Sequence, residues 1–133
     1  MTKKHSGKIS IPANTNVWEH ELSTAKALAN DGRRVEFLTA KESKHTKSPD
    51  IIMDGELWEL KSPKTDKLSS IERNLKRASK QSHNVVLDSQ RLRKLRDIEV
   101  KRFLIRKYSQ QKSIKRLIFV NRKREVIDIS KIA

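Results

Sequence analysis

Residues 50–61 constrain the fold more than any other segment, because they predict a β-hairpin. Asp54 and Gly55 form a dipeptide typical of a type I′ turn, since both residues tolerate the positive φ that this turn requires. Counting outward from the turn gives four cross-strand pairs: Met53 with Glu56, Ile52 with Leu57, Ile51 with Trp58, and Asp50 with Glu59. Side chains alternate along each strand. One face is therefore mostly apolar, with Ile51, Met53, Glu56, Trp58 and Leu60.

The other face of the hairpin carries two opposed carboxylates beside an ammonium group. Asp50, Glu59 and Lys61 share this face, and directly opposed residues have Cβ atoms roughly 5 Å apart. Two acids so close repel unless a cation or a proton lies between them. Oxygen ligands suit Mg²⁺ or Mn²⁺, and a lysine beside a metal-bound water can orient it or stabilise charge on a phosphate. The alternative interpretation is an exposed cross-strand pair with Lys61 as its salt-bridge partner.

The order of these residues resembles the PD-(D/E)XK nuclease signature. In that signature an Asp, a spacer holding a hairpin, and a Glu-x-Lys follow one another, as Pro49-Asp50 and Glu59-Leu60-Lys61 do here. The run from Pro49 to Ile129 is similar to the C-terminal tRNase domains of contact-dependent growth inhibition toxins of the CdiA type, and to related phage-borne toxin domains. The resemblance implies that Asp50, Glu59 and Lys61 are catalytic. It also implies that the two acids bind Mg²⁺, Mn²⁺ or another divalent ion.

The resemblance implies two further site residues outside the hairpin. In PD-(D/E)XK enzymes a helix before the sheet often supplies one more acid near the metal, and Glu21 has better helical phase for this than Glu19. Some of these enzymes hold substrate or solvent with a glutamine placed as Gln81 is here, near the end of a later helix. The alternatives are a glutamate favoured by the helix dipole and an ordinary polar residue at a helix C-terminus.

The net charge of +15, from 31 Lys and Arg against 16 Asp and Glu, indicates an anionic partner. A basic surface attracts polyanions and speeds their encounter. Nucleic acid is the leading partner, with tRNA favoured over DNA by the resemblance, and an acidic immunity protein also fits the charge. Only one Tyr and three Phe argue against a base-stacking platform of the single-strand-binding kind. The candidate phosphate-binding residues are Lys44, Lys47, Arg73, Lys76, Arg77 and Lys80.

Length and composition limit the domain organisation. The 133 residues suit one domain, predicted as a flexible basic arm over 1–15 and an α/β domain over 16–133. The lack of cysteine excludes disulfides and thiolate metal sites. No apolar run approaches a membrane span, and no apolar signal region follows the basic start. We therefore expect no signal peptide in this chain, and the resemblance to tRNase toxin domains implies a cytoplasmic site of action.

The remaining pattern predicts a mixed β-sheet flanked by helices. The predicted elements are a helix over 16–30 capped by Thr15 or Asn16, a strand over 34–38, the hairpin, a helix over 69–81, a strand over 84–88, a long helix over 88–111 with a break near 96–97, and a second hairpin over 114–129. In the first helix, Trp18, Leu22, Ala25 and Ala29 fall at helical spacing and predict its buried face. Ile9 to Pro12 could add a short edge segment. This order is compatible with a restriction-endonuclease-like (PD-(D/E)XK) core.

The sequence thus predicts a metal-dependent nuclease that cleaves phosphodiester bonds. Two alternatives stay open. One is a metal-independent ribonuclease toxin of the barnase-EndoU-colicin-RelE type, with Lys61, Ser62, Thr65 and His83 as candidate residues. The other is a non-enzymatic basic protein that binds nucleic acid or the ribosome. Cleavage in EDTA would favour the first, and salt-sensitive binding without cleavage the second.

Overall fold

The computed structural model describes residues 7–13, 15–38 and 50–133, which form a mixed sheet with helices on both faces. Lys44 and Lys47 lie outside the described residues. In chain order the elements are β1 (Ile9–Ser10), α1 (Glu19–Asn30), β2 (Val35–Phe37), β3 (Ile51–Met53), β4 (Glu56–Lys61), α2 (Leu68–Ser79), β5 (Asn84–Asp88), α3 (Asp97–Gln110), β6 (Arg116–Val120), β7 (Val126–Asp128) and α4 (Ile129–Ile132).

The seven strands of the sheet lie side by side in chain order. Strands β2, β3 and β4 are antiparallel, β4, β5 and β6 are parallel, and β7 returns antiparallel to β6. Parallel neighbours need a crossover connection, which α2 supplies between β4 and β5 and α3 between β5 and β6. The predicted mixed sheet flanked by helices is confirmed. Strand β1, which falls within the predicted arm, pairs in parallel with β2.

The Asp54-Gly55 turn has the predicted conformation, with φ of 50° and 84°. The register of β3 and β4 matches the prediction for three pairs, from Met53 with Glu56 to Ile51 with Trp58. The fourth predicted pair, Asp50 with Glu59, is wrong, because these two residues are not partners in the β-ladder. Asp50 lies in a bend before β3 and donates its N–H to the Trp58 carbonyl at 3.1 Å. Because Asp50 and Ile51 both lie opposite Trp58, the strand starts with a bulge-like irregularity.

Two apolar clusters cover the two faces of the sheet. One cluster packs α1 against the predicted apolar face of the hairpin and includes Leu28, Ile51, Trp58 and Leu60. The other packs α2 and α3 against the opposite face. Its members include Ile71, Leu75, Val85, Leu87, Phe103, Leu104, Leu117 and Phe119. Glu59 and Lys61 pair in register with Val85 and Leu87, so these two charged side chains lie on the α2 face of the sheet.

The first helix begins later than predicted, which changes the position of Trp18. Helix α1 starts at Glu19, and the Glu21 carboxylate accepts the Trp18 N–H at 3.0 Å, so Trp18 rather than Thr15 or Asn16 is the N-cap. Trp18 therefore lies outside the helical stripe and is 72% exposed. Its predicted burial is wrong, whereas Ala25 and Ala29 are buried as predicted.

The predicted long helix over 88–111 is also wrong in its first part. Residues 89–96 form turns and bends, and α3 begins at Asp97. Tertiary contacts hold this segment away from helical geometry. The Ser89 hydroxyl donates to Asp97 Oδ1 at 2.9 Å, and the Arg122 guanidinium donates to the carbonyls of Leu92 and Leu95.

Two other element boundaries differ from the prediction. Helix α2 runs from Leu68 to Ser79, so it begins one residue earlier and ends two residues earlier than predicted. The last strand ends at Asp128, where α4 begins with the fully buried Ile129.

Candidate active site

A polar cleft opens beside the end of β4, between the first turn of α1 and the middle of α2. Its volume is about 430 Å³. The lining residues come from five parts of the chain: Trp18, His20, Glu21, Asp50, Glu59, Leu60, Lys61, Ser62, Pro63, Lys64, Asn74 and Arg91. This set includes the four site residues predicted on the hairpin and the first helix, which are Glu21, Asp50, Glu59 and Lys61.

The hairpin places Asp50, Glu59 and Lys61 together although Asp50 leaves the strand register. The Asp50 carboxylate accepts the backbone N–H of Leu60 at 2.9 Å, which fixes it against β4 beside Glu59. The Lys61 ammonium lies 3.2 Å from Glu59 Oε2. Glu59 is only 3% exposed, so the exposure expected by the alternative interpretation is wrong, whereas its salt bridge between Lys61 and Glu59 is present.

The environment of Glu59 disfavours an isolated negative charge. Burial, and secondarily the nearby Asp50 carboxylate, raise the pKa of Glu59 to about 8, although Lys61 acts in the opposite direction. Its Oε1 atom is buried and accepts no hydrogen bond from any residue that the structure describes. Burial of an ionised oxygen without a partner is costly. The cleft therefore favours a proton or a cation at this carboxylate pair.

Glu21 lies in the same cleft and also caps α1. Burial is the main cause that raises the pKa of Glu21, Asp50 adds to it, and the hydrogen bond from Trp18 opposes it. Glu21 therefore lies both in the first turn of α1 and in the cleft, and its role as a metal ligand stays a prediction. Within the described residues, however, no group of three or more His, Cys, Asp and Glu side chains is arranged to hold a metal ion. The carboxylate pair fits a divalent cation only if water, substrate or a small movement of Glu21 completes the ligand set.

A second buried carboxylate, Asp88, is linked to the cleft residue Ser62 through Gln90. The sequence pattern did not identify it as part of the site. Asp88 at the end of β5 is fully buried. Arg124 donates to both of its oxygens at 2.8 and 2.9 Å, and Thr24 of α1 donates at 2.7 Å. The Gln90 amide links this cluster to Ser62 Oγ at 3.0 Å and to the His20 carbonyl at 2.9 Å. The network therefore fixes the first turn of α1 relative to the end of β4.

Apart from Lys61, the cations that line the cleft are not those predicted to bind phosphate. Arg73, Lys76 and Arg77 of α2 and Lys80 at its C-terminal cap are exposed, but only Asn74 of this helix lines the cleft. Lys64 and Arg91 line it instead. Arg91 is held there because its guanidinium donates twice to the Ser62 carbonyl, at 2.8 and 2.6 Å. The sequence signal for these two residues was weak, since each is one cation among many.

The cleft does not contain Gln81, and it contains only some of the residues predicted for the metal-independent alternative. Gln81 follows the end of α2 and does not line the cleft. His83 precedes β5, and its Nδ1 atom lies 2.9 Å from the Ser113 carbonyl oxygen. Lys61 pairs with Leu87 near the other end of β5, so His83 lies away from the cleft. Of the four residues considered for metal-free chemistry, only Lys61 and Ser62 line the cleft.

The protein is a basic mixed α/β domain whose hairpin presents two carboxylates and a lysine in an open cleft. Residues 47–126, more than half of the chain, match the family described as the contact-dependent growth inhibition CdiA C-terminal domain. The chain belongs to this family of toxin domains, whose members are typically nucleases. The predicted resemblance to CdiA-type toxin domains is thereby confirmed.

Comparison with solved structures supports the same fold. The chain is similar to a structure described as the CdiA-CT/CdiI toxin and immunity complex from Burkholderia pseudomallei, with a TM-score of 0.68 and 19% sequence identity. The alignment covers 92% of this chain and 98% of that chain. A search of curated proteins finds no match. In the described part of the chain, no helix is long and apolar enough to cross a membrane.

Proposed function

We propose that this toxin domain is a metal-dependent nuclease of the PD-(D/E)XK type that hydrolyses phosphodiester bonds, with tRNA as the favoured substrate. The observation that carries this proposal is the state of Glu59. It is buried in an open cleft beside Asp50 and Lys61, its pKa is raised to about 8, and its Oε1 has no hydrogen-bond partner among the described residues. Strongly perturbed carboxyl groups in clefts mark functional sites.

The proposed cofactor is a hard divalent cation such as Mg²⁺ or Mn²⁺, with water or substrate completing the ligand set. Asp50 and Glu59 supply closely spaced carboxylate oxygens, and Glu21 lines the same cleft as the candidate for a further ligand. Such an ion, when bound, polarises a phosphate oxygen and lowers the pKa of bound water. It would also offset the repulsion between Asp50 and Glu59, which contributes to the raised pKa of Glu59.

Lys61 is proposed to act on the water and the phosphate. Its ammonium lies 3.2 Å from Glu59 Oε2 and is partly exposed in the cleft. A fixed ammonium at this place can orient the attacking water and stabilise charge that develops on the phosphate. Lys64 and Arg91 in the same cleft would then contact phosphates flanking the cut.

The proposed substrate and partner follow from charge together with the family. The net charge of +15 favours nucleic acid, and the choice of tRNA, with a cytoplasmic site of action, follows from the resemblance to tRNase toxin domains. An acidic immunity protein is the proposed protein partner. The similarity to a solved toxin and immunity complex supports this partner.

The test is incubation of the purified domain with total tRNA and, separately, plasmid DNA, in Mg²⁺, Mn²⁺ or EDTA. Wild-type protein should cleave only with a divalent ion, and Glu59→Gln and Lys61→Ala should be inactive but folded. Glu36→Gln is the matched control, because Glu36 is an exposed strand glutamate outside the cleft. Cleavage in EDTA that survives Glu59→Gln would contradict the proposal, as would binding of tRNA and DNA without cleavage under every metal condition.

A further inference from the structure

We infer that Trp18 is a stacking platform for an unpaired nucleobase, so that the substrate presents a single-stranded or extruded nucleotide beside the bond that is cut. The inference rests on the proposed nuclease function for the cut and deepens it by naming the substrate class. A single exposed apolar side chain is ordinary on a protein surface, so exposure alone carries nothing. The inference is based on two further observations: Trp18 lines the cleft, and contacts with neighbouring residues fix its backbone and ring.

Trp18 has an open ring at the rim of the cleft that contains the carboxylate pair. It is 72% exposed, more than any other large hydrophobic side chain in the described part of the chain, and it lines the cleft together with Asp50, Glu59 and Lys61. The second tryptophan of the sequence, Trp58, is 1% exposed and belongs to the core. The two tryptophans therefore have opposite roles in packing, and only Trp18 offers a ring face to a ligand.

The backbone of Trp18 is fixed from both sides. Its N–H donates to Glu21 Oε1 at 3.0 Å, and its carbonyl accepts the N–H of Leu22 at 3.0 Å. The ring stacks against His20 with the centroids 6.3 Å apart and an interplanar angle of 22°. The His20 carbonyl is in turn bound by Gln90. The ring is thus anchored to the elements that shape the cleft, and tryptophan itself has few rotatable bonds to immobilise.

The chemistry of the neighbours identifies the occupant as a nucleotide. Lys64 and Arg91 lie in the same cleft and can contact phosphates, while the ring of Trp18 can stack on a base. A base within a duplex is already covered on both faces, so a protein ring reaches only bases in loops, bulges, ends or single strands. The low aromatic content of the chain is consistent with this arrangement, because one ring suffices to hold one base.

The binding arm of the test uses fluorescence in the inactive Glu59→Gln variant with EDTA, so that neither cleavage nor metal is needed. Adenosine 5′-monophosphate and a short single-stranded oligonucleotide should quench the exposed tryptophan. Ribose 5-phosphate should not quench it, because it lacks a base. In Glu59→Gln/Trp18→Leu the quenching should disappear while the buried Trp58 still reports a folded core. Equal quenching in the double variant, or binding of the oligonucleotide without quenching, would overturn the inference.

The cleavage arm separates the platform from the nuclease function. Trp18→Phe should retain most activity on single-stranded or loop substrates, and Trp18→Leu should lose about 5- to 100-fold in kcat/KM. A metal-dependent nuclease in which Trp18→Leu cleaves as well as wild type would overturn the platform and leave the proposed function standing. If Trp18→Leu instead weakens only the inhibition by an acidic immunity protein, Trp18 is a protein-contact residue and the inference is wrong.

Discussion

Two buried carboxylates on neighbouring strands of the sheet differ in how fully they are satisfied. Asp88 at the end of β5 accepts hydrogen bonds at both oxygens and pairs with Arg124. Glu59 near the end of β4 is almost equally buried, but its Oε1 has no partner among the described residues. Burial alone therefore does not mark the reactive acid. The unsatisfied group is the one that a cation or substrate can stabilise.

The largest expected effect is on stability, from removing the charge of the satisfied acid. Asp88→Asn leaves the partly buried Arg124 without its counter-charge, and breaking one partner of a buried pair costs about 3–5 kcal/mol. Urea unfolding at pH 7 measures this loss. If Asp88→Asn is no less stable than Glu59→Gln, the claim that the satisfied acid contributes more to stability is wrong.

The second effect is on catalysis, and it should be confined to the unsatisfied acid. Glu59→Gln should lower kcat by at least about 10²- to 10³-fold, as removal of one key electrostatic group typically does. Its stability should fall much less than that of Asp88→Asn, because Oε1 has no partner to lose among the described residues and the amide oxygen can still accept a hydrogen bond from Lys61. The measurement is single-turnover cleavage of the preferred nucleic acid beside the Glu36→Gln control. A fully active Glu59→Gln protein would place the chemistry elsewhere.

The third effect is the pH dependence of stability. The pKa of folded Glu59, about 8, lies above the ordinary value of 4.5, so the folded state binds more protons between these values. The stabilisation from the protonated form is fully present below about pH 4.5 and is lost as pH rises through about 8. Wild-type protein should therefore lose stability relative to Glu59→Gln between pH 5 and pH 9, by a few kcal/mol at most. Parallel stability curves for the two proteins would contradict the raised pKa.

The smallest effect concerns the cations inside and outside the cleft. Arg91→Ala should weaken binding of nucleic acid and lower the slope of log affinity against log salt by about 0.7–0.9, the value of one phosphate contact. Arg73→Ala on α2 should change kcat/KM less, because Arg73 does not line the cleft. Binding titrations at several salt concentrations measure the slope, and initial cleavage rates at low substrate concentration measure kcat/KM for both variants. Equal loss of kcat/KM in both variants would favour the sequence-based assignment to α2.

The parts of the site that the sequence predicted depend on local rules. The Asp54-Gly55 turn set the hairpin register, and with it the shared face of Glu59 and Lys61. Helical phase placed Glu21 toward the same cleft. These predictions succeeded because turn geometry and strand alternation require only short-range information.

The parts that failed depend on contacts between distant residues. Arg124 reaches Asp88 across 36 positions, and Gln90 reaches His20 across 70, so neither network follows from periodicity. Trp18 was misplaced because the helix begins one residue after it. That the cations of α2 bind nucleic acid stays a prediction, because the sequence shows that a helix is basic but not which part of it lies against the cleft.

The most direct test of the central claim is calorimetric titration of Mn²⁺ into the wild-type domain at pH 7, repeated in buffers of different ionisation enthalpy. Glu59 with a pKa of about 8 is mostly protonated at pH 7, and a metal displaces such a proton. The account predicts binding with release of close to one proton, and loss of both in Glu59→Gln. Binding that is unchanged in Glu59→Gln, or no binding in the wild type, would contradict it.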